Sequence, residues 1–164
     1  VGGRVEAWGC EWAAAGERGG KELAGTCCEE GNQMKITSRW GGHKAEREGE
    51  GVVRRNGKQA VTRVRVMQEL AGGAASVVEC KLETGRTHQI RVHMSYAGHA
   101  LLGDQTYSRK RKLAGAHTEQ VAAFQRQALH AGLLGFKHPI TGRMQRFTSP
   151  LPTDIEGLIA LLSA

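Results

Sequence analysis

Alternating apolar and charged residues between positions 61 and 83 constrain the fold of this 164-residue chain more than any other feature. In VTRVRVM, valines alternate with Arg63 and Arg65, and in SVVECKLE alternate positions form one apolar face. A period of two is that of a half-buried strand. The turn AGGA joins the two segments, so they predict an antiparallel hairpin in which Arg63 and Arg65 pair with Glu79 and Glu83.

A short helix is predicted directly after this hairpin. Thr87 is a candidate N-cap, IRVHMSYA carries apolar residues at helical spacing from Ile90, and Gly98 suits a C-terminal cap. His93 lies on the apolar stripe, where a hydrogen-bonded core histidine is a simpler interpretation than a metal ligand. His88 is five residues away from it, a spacing that does not place two metal ligands on one helix face.

The C-terminal part predicts two further strands and a helix. Residues 128–136 are apolar on both faces, as in a central strand, and residues 143–149 form a more polar returning strand. Thr153 and Glu156 fit a capping box, and Asp154 would lie in the first helical turn, where a negative charge is favoured. The order strand, strand, helix, strand, strand, helix predicts an α+β fold with a mixed, mainly antiparallel sheet and short flanking helices.

Residues 1–51 show no comparable pattern. They contain 12 of the 23 glycines and all three tryptophans, and no apolar period persists in them beyond a short helix conceivable at 11–15. We therefore expect residues 1–51 to be disordered or non-native, and residues 52–164 to be the ordered unit. The absence of an initiator Met indicates a processed or incomplete chain.

The charge distribution indicates an acidic partner. The net charge is +7, but residues 1–51 carry seven Lys/Arg against nine Asp/Glu, whereas residues 52–164 carry sixteen against seven. The positive excess therefore belongs to the ordered part, as expected of a protein that binds nucleic acid.

Several other classes are excluded. No apolar run approaches the ~20 residues that span a bilayer, and no secretory leader is recognisable, so we expect a cytoplasmic protein without membrane contact. None of the four cysteines forms a C-x-x-C pair, and no metal site is expected. The glycines match no nucleotide-binding loop, which predicts no cofactor. With only two aspartates, Asp104 as a loop former and Asp154 in a helix, a Ser-His-Asp site is poorly supplied.

One polar cluster remains, in the run ETGRTHQIRVH. Arg86, His88, Gln89 and Arg91 surround a strand-to-helix turn, which can bind a phosphate or a carboxylate through its N–H groups and arginines. A solvated basic start of a helix is an equally good interpretation of these residues alone.

The longer run LETGRTHQIRVHMSYAGHALLGDQTYSR resembles the final conserved motif of the RluA/RluD-type ribosomal large-subunit pseudouridine synthases. The flanking segments GKQAVTRVRV, RQALHAGLLGFKHPITG and FTSPLPTD resemble the same family in order and spacing. The resemblance extends from about residue 56 to the C-terminus.

This resemblance implies isomerisation of uridine to pseudouridine in RNA without a cofactor. It implies that Arg91 supports a catalytic aspartate and that Ile90 lines the uracil pocket. We expect the RNA to be ribosomal, with transfer RNA as an alternative, and the protein to be a monomer. The residues expected to bind RNA are Arg86, Thr87, His88, Gln89, Arg109, Lys110, Arg111 and Lys112. For the last four, a solvated loop and a targeting signal are the alternatives.

The chain departs from the family pattern in two respects. It has no R-L-D motif, and neither Asp104 nor Asp154 has the context of the catalytic aspartate. The upstream tyrosine motif is also missing. We therefore expect the C-terminal part of a synthase catalytic domain, inactive alone. The alternatives are a non-catalytic basic RNA-binding fragment and an inactive truncated product.

Overall fold

A computed structural model describes residues 4–8, 26–30, 33–42, 50–52, 57–108 and 118–164, with an eight-stranded sheet and three helices. The strands are β1 (Arg4–Trp8), β2 (Thr26–Glu30), β3 (Gln33–Gly42), β4 (Glu50–Val52), β5 (Lys58–Leu70), β6 (Ala75–Leu82), β7 (Leu129–Lys137) and β8 (Met144–Thr148). The helices are α1 (Gln89–Tyr96), α2 (Thr118–Ala123) and α3 (Thr153–Ser163). The strand order is β2-β3-β5-β6-β1-β7-β8, with β4 beside β3, and the pairs are antiparallel. The predicted α+β class is confirmed.

The β5–β6 hairpin forms as the alternation predicted. Arg65 lies opposite Glu79 and its Nη2 is 2.9 Å from Glu79 Oε2, while Arg63 pairs with Glu83. The register shifts near Met67, which is 53% exposed. This bulge changes which residues of β5 face each side of the sheet.

The two sides of the sheet are covered by different helices. On one side, here called the α1 face, α1 packs on the strands; its buried cluster consists of Ile36, Val64, Val78, Cys80, Ile90, Met94 and Leu101. On the other side, the α3 face, the buried cluster consists of Leu70, Ala75, Val77, Leu102, Ala128, Leu158 and Leu162. Adjacent residues such as Val77 and Val78 therefore enter different cores, as the pleat requires.

The helix ends differ in part from the predictions. Gly98, with φ 90°, follows α1 in a Schellman arrangement: its N–H bonds to Ser95 O, and the next N–H bonds to Met94 O. The N-cap of α1 is His88 and not Thr87, because the chain turns at His88 with φ 54°. The predicted capping box of α3 is also wrong. Pro152 is the N-cap, so Thr153 already lies inside the helix.

Two expectations about the sheet need comment. The sequence predicted no strand before residue 52, yet β3 pairs with β5 over eight positions, and Ile36 is 1% exposed. The division of the chain at residue 51 remains a prediction, and the short helix at 11–15 lies outside the described residues. The strand expected to be central, β7, does have a partner on each side, but it lies next to the edge strand β8.

No helix in the described parts of the chain is long and apolar enough to cross a membrane.

Candidate functional site

A buried carboxamide fixes the start of α1 to the sheet. Gln89 is 2% exposed, and its Nε2 donates to Val61 O and Thr62 Oγ1, both at 3.0 Å. Its Oε1 accepts from Thr84 Oγ1 at 2.8 Å and from the backbone N of Arg86 at 3.1 Å. All the hydrogen-bonding capacity of the carboxamide is thus used to join the turn, the helix and β5.

One helical turn later, His93 makes a second polar contact with the sheet. Its ring is fully buried, with Nδ1 2.8 Å from Thr62 Oγ1 and Nε2 2.8 Å from Ser38 Oγ. Burial lowers the pKa of His93 to about 4, so the ring is neutral at pH 7, with one nitrogen donating and the other accepting. The predicted hydrogen-bonded core histidine is confirmed.

Between these two residues, Arg91 projects from the other side of α1 and meets Asp104. Its Nε donates to Asp104 Oδ2 at 2.7 Å and its Nη2 to Oδ1 at 2.8 Å, while the side chains are 11% and 1% exposed. Asp104 Oδ1 also accepts from the backbone N–H groups of Thr106 at 2.9 Å and Tyr107 at 3.0 Å. Asp104 is therefore a loop former, as predicted, and also the partner of Arg91.

The charges of this pair are reinforced by their surroundings. The hydrogen bond to Asp104 raises the pKa of Arg91 despite burial. Burial by itself would raise the pKa of Asp104, but the hydrogen bonds from Arg91 and from two backbone N–H groups outweigh it and hold that pKa below its ordinary value. The ion pair is thus fully charged at neutral pH.

Tyr107 completes the cluster that we call the Arg91 site, formed by His88, Arg91, Asp104 and Tyr107. The guanidinium carbon of Arg91 lies 4.9 Å from the centroid of the Tyr107 ring, within cation–π distance. Tyr107 Oη is 3.1 Å from His88 Nδ1, and Ser95 Oγ donates to Tyr107 O at 2.6 Å. The arginine is therefore held on two sides.

This geometry defines what the site can bind. Asp104 uses the Nε side of the guanidinium, so within the described part of the chain the edge at Nη1 stays open to a second acceptor such as a carboxylate or a phosphate. The thiol of Cys80 is no nucleophile, because burial raises its pKa to about 12. Among the described residues no group of His, Cys, Asp and Glu is arranged to hold a metal ion.

The structure separates the residues that the sequence grouped. Thr87 and His88 are exposed at the turn, and Arg86 is half-buried with its Nη2 3.4 Å from Gln59 O. Gln89 is buried and occupied within the protein, so its expected contact with RNA is not supported. Ile90 is 4% exposed and belongs to the α1-face core, and its place in a uracil pocket stays a prediction.

The sequence did not predict that Asp104 and Tyr107 belong to the Arg91 site. Four residues that it did predict to bind RNA cannot be placed. Asp104 and Tyr107 follow Arg91 by 13 and 16 positions, and only the return of the chain after α1 brings them to it. The short D-x-x-Y spacing of Asp104 and Tyr107 was the sequence signal that could have identified them as members of one site. The basic run from Arg109 to Lys112 lies outside the described residues.

The fold is that of pseudouridylate synthase domains. The solved human RNA pseudouridylate synthase domain containing 1 superposes with a TM-score of 0.61 and 22% identity, over 98% of this chain and 66% of that chain. Human RNA pseudouridylate synthase domain containing 4 gives a TM-score of 0.54 and 21% identity, over 96% and 62%.

Sequence comparison agrees with the fold. A family model described as RNA pseudouridylate synthase matches residues 20–96. Ribosomal large subunit pseudouridine synthase D of Zymomonas mobilis is 52% identical over 106 residues, 65% of this chain and 32% of that protein. RNA pseudouridine synthase 2, chloroplastic, of Arabidopsis thaliana is 37% identical over 118 residues, 64% and 27%. Over about 65% of its length the chain is similar to pseudouridine synthases of the RluA/RluD type, and it spans about a third of the length of the curated relatives it matches.

Proposed function

We propose that this chain contributes the arginine-bearing part of the active site of an RNA pseudouridine synthase, and that the RNA is ribosomal. The observation that carries the proposal is the Arg91 site. Asp104 and Tyr107 hold the guanidinium, and its Nη1 edge is left for another anion.

In this proposal Arg91 orients the carboxylate that acts on the target uridine. Conversion to pseudouridine breaks the N-glycosidic bond, turns the uracil and joins it to the ribose through C5. A carboxylate can serve such a reaction covalently, and the base must leave the stack to reach it. A guanidinium held in advance orients a carboxylate without reorganisation during the reaction.

The aspartates of this chain do not fit the role of that carboxylate. Asp104 is 1% exposed and engaged by Arg91, whereas Asp154 is paired with Arg126 at the start of α3. The sequence has no third aspartate. We therefore expect the chain to need a carboxylate-bearing segment of the kind that an R-L-D motif supplies.

The RNA would approach along the α1 turn. Arg86, Thr87 and His88 are the described residues available for phosphate contacts there, and the run from Arg109 to Lys112 would add charge. A monomer acting in the cytoplasm without a cofactor completes the proposal, with transfer RNA as the alternative substrate.

Tritium release from ribosomal RNA containing 5-tritiated uridine tests this function. The 164-residue chain alone should release none, whereas a chimera joining the N-terminal part of the Zymomonas mobilis relative to residues 57–164 should release tritium. In the chimera, Arg91→Ala should lower turnover by roughly a hundredfold or more, the order seen when one preorganised donor is removed. Arg91→Lys should also lower turnover by the chimera, because an ammonium group has no fixed edges with which to hold two anions.

Arg126→Ala is the matched control, since Arg126 forms the same bidentate pair with Asp154 at an exposed position. Folding of every variant is checked by circular dichroism. A folded chimera that binds RNA without turnover would favour the non-catalytic RNA-binding fragment. Samples that precipitate throughout would favour the inactive truncated product. Tritium release by the 164-residue chain alone would contradict the proposal that its active site lacks the catalytic carboxylate.

A further inference from the structure

The β7–β8 hairpin exposes an apolar surface that no described element covers. Leu134 is 48% exposed and Phe147, opposite it on β8, is 53% exposed. The rings of Phe136 and Phe147 stack with centroids 5.8 Å apart and an interplanar angle of 19°. A contiguous exposed apolar patch is one mark of an interaction surface.

The register shows which side of the sheet carries these rings. Lys81 of β6 pairs with Arg4 of β1, which pairs with Leu133 of β7, so these three positions share one side of the sheet. Lys81 follows Cys80, which belongs to the α1-face cluster, so this side is the α3 face. Leu134 is the next residue of β7 and lies opposite Phe147, so both point to the α1 face. The stacked phenyl rings therefore lie on the same side of the sheet as α1 and the Arg91 site.

The charged residues of the hairpin segment all have one sign. Residues 120–153 contain four Lys/Arg and no Asp or Glu. Three of these cations belong to the hairpin: Arg143 lies in its turn, while Lys137 and Arg146 project toward the α3 face along the edge formed by β8. All three are exposed.

Rings on one face and cations around the edge fit a polyanion that carries flat bases. A single strand of RNA crossing the edge could stack bases on the rings while its phosphates meet the cations. A second copy of this chain fits less well. A two-fold interface would oppose two identical cationic hairpins, with no acidic side chain in the segment to offset their repulsion.

We propose that the β7–β8 hairpin is an RNA-binding platform on which an unpaired base stacks on Phe147, next to the strand that enters the Arg91 site. The inference rests on the proposed function, because it takes the same RNA as the partner. It adds a contact surface remote in sequence from the α1 turn and the basic run.

Fluorescence anisotropy of the full chain with fluorescein-labelled oligouridine RNA tests the platform. Phe147→Leu keeps an apolar side chain but removes the aromatic face, and it should raise Kd about tenfold with an unchanged salt dependence. Met144→Leu is the control: Met144 is 73% exposed on the opposite side of the same strand, and this change should leave Kd unaltered. Joint replacement of Arg143 and Arg146 by Gln should reduce the salt slope by about one or more.

Ultraviolet crosslinking to the same RNA, followed by mass spectrometry, should identify a peptide containing Phe147. If the chain binds the RNA but Phe147→Leu binds as tightly, the platform is overturned while the proposed function stands. If the chain binds no RNA, both fail. If sedimentation shows a dimer that Phe147→Leu dissociates, the surface is an interface between copies and the platform is overturned.

Discussion

At the scale of single residues, the chain contains two arginine–aspartate pairs with the same geometry in different surroundings. Arg91–Asp104 and Arg126–Asp154 each join Nε to Oδ2 at 2.7 Å and Nη2 to Oδ1 at 2.8 Å. The side chains of the first pair are 11% and 1% exposed, and those of the second are 41% and 46% exposed. Burial therefore decides how much each pair matters to stability.

Replacing one carboxylate at a time measures this difference. Asp104→Asn leaves the Arg91 charge buried without a counterion and should lower the free energy of unfolding by about 3 kcal/mol. Asp154→Asn breaks an exposed, solvent-screened pair and should lower the free energy of unfolding much less. Urea unfolding at pH 7 compares them, and equal losses would mean that Arg91 is as well solvated as Arg126.

His93 gives the fold a dependence on pH. The pKa of His93 in the folded chain is about 4, below its ordinary value of 6.5. Between pH 6.5 and pH 4 the unfolded chain therefore binds a proton at this histidine, whereas the folded chain does not. The stabilisation is fully present above pH 6.5 and is lost as the pH falls toward 4. Between pH 7 and pH 5 the loss should be about 2 kcal/mol.

His93→Gln tests this assignment, because a glutamine amide does not titrate in that range. Urea unfolding at both pH values should show a drop in stability that is smaller in the variant by that amount. Glu83, Asp104 and Asp154, whose pKa values lie below ordinary, contribute equally to both proteins. An identical pH dependence in the two proteins would refute the buried neutral histidine.

At the scale of elements, α1 is short and depends on its ends and its anchors. Gln89 and His93 attach its inner side to β5 and β3 through hydroxyl and carbonyl groups. Gly98 ends it with φ 90° and releases the chain toward Asp104. The position of the guanidinium in the Arg91 site therefore depends on contacts made elsewhere along the helix.

A pair of glycine substitutions separates backbone strain from packing. A Cβ at Gly98 or at Gly85 would meet nothing within 4 Å, but only Gly98 has a positive φ. Gly98→Ala should therefore lower the free energy of unfolding by about 1 kcal/mol, while Gly85→Ala should be neutral or slightly stabilising. Thermal unfolding of both variants measures the two losses. Equal losses would contradict a left-handed conformation of Gly98 at the end of α1.

At the scale of the whole molecule, the sheet separates two environments. The α1 face carries the Arg91 site and the exposed rings of β7 and β8, while the α3 face holds the second core and a charged surface around Arg65 and Glu79. With a net charge of +7, binding of the chain to RNA should weaken steeply with salt.

The basic run provides the test of where that binding occurs. Replacing Arg109, Lys110, Arg111 and Lys112 by Gln should flatten the salt slope by up to about 3 for a single-stranded RNA. Replacing Lys35 and Arg39, on β3 at the far side of the sheet from β8, should leave it unchanged. Anisotropy titrations at several salt concentrations measure both, and an unaltered slope in the fourfold variant would remove the run from the RNA surface.

The sequence by itself determined the elements whose patterns are local. Alternation around Arg63 and Arg65 fixed the hairpin and its ion pairs, and the stripe through Ile90 and His93 fixed α1 and its buried side. A strand such as β3 escaped prediction, because its register comes from pairing with β5 and not from its own glycine-flanked residues.

The tertiary structure alone decided what each chemical group meets. It gave Arg91 the partner Asp104 and the ring of Tyr107, withdrew Gln89 into the interior, and left Phe147 exposed on the same side of the sheet. The physical reason is that periodicity records which side of an element is buried, whereas hydrogen bonds and ion pairs require distances of about 3 Å between groups far apart in the chain. Only the folded path of the backbone sets those distances.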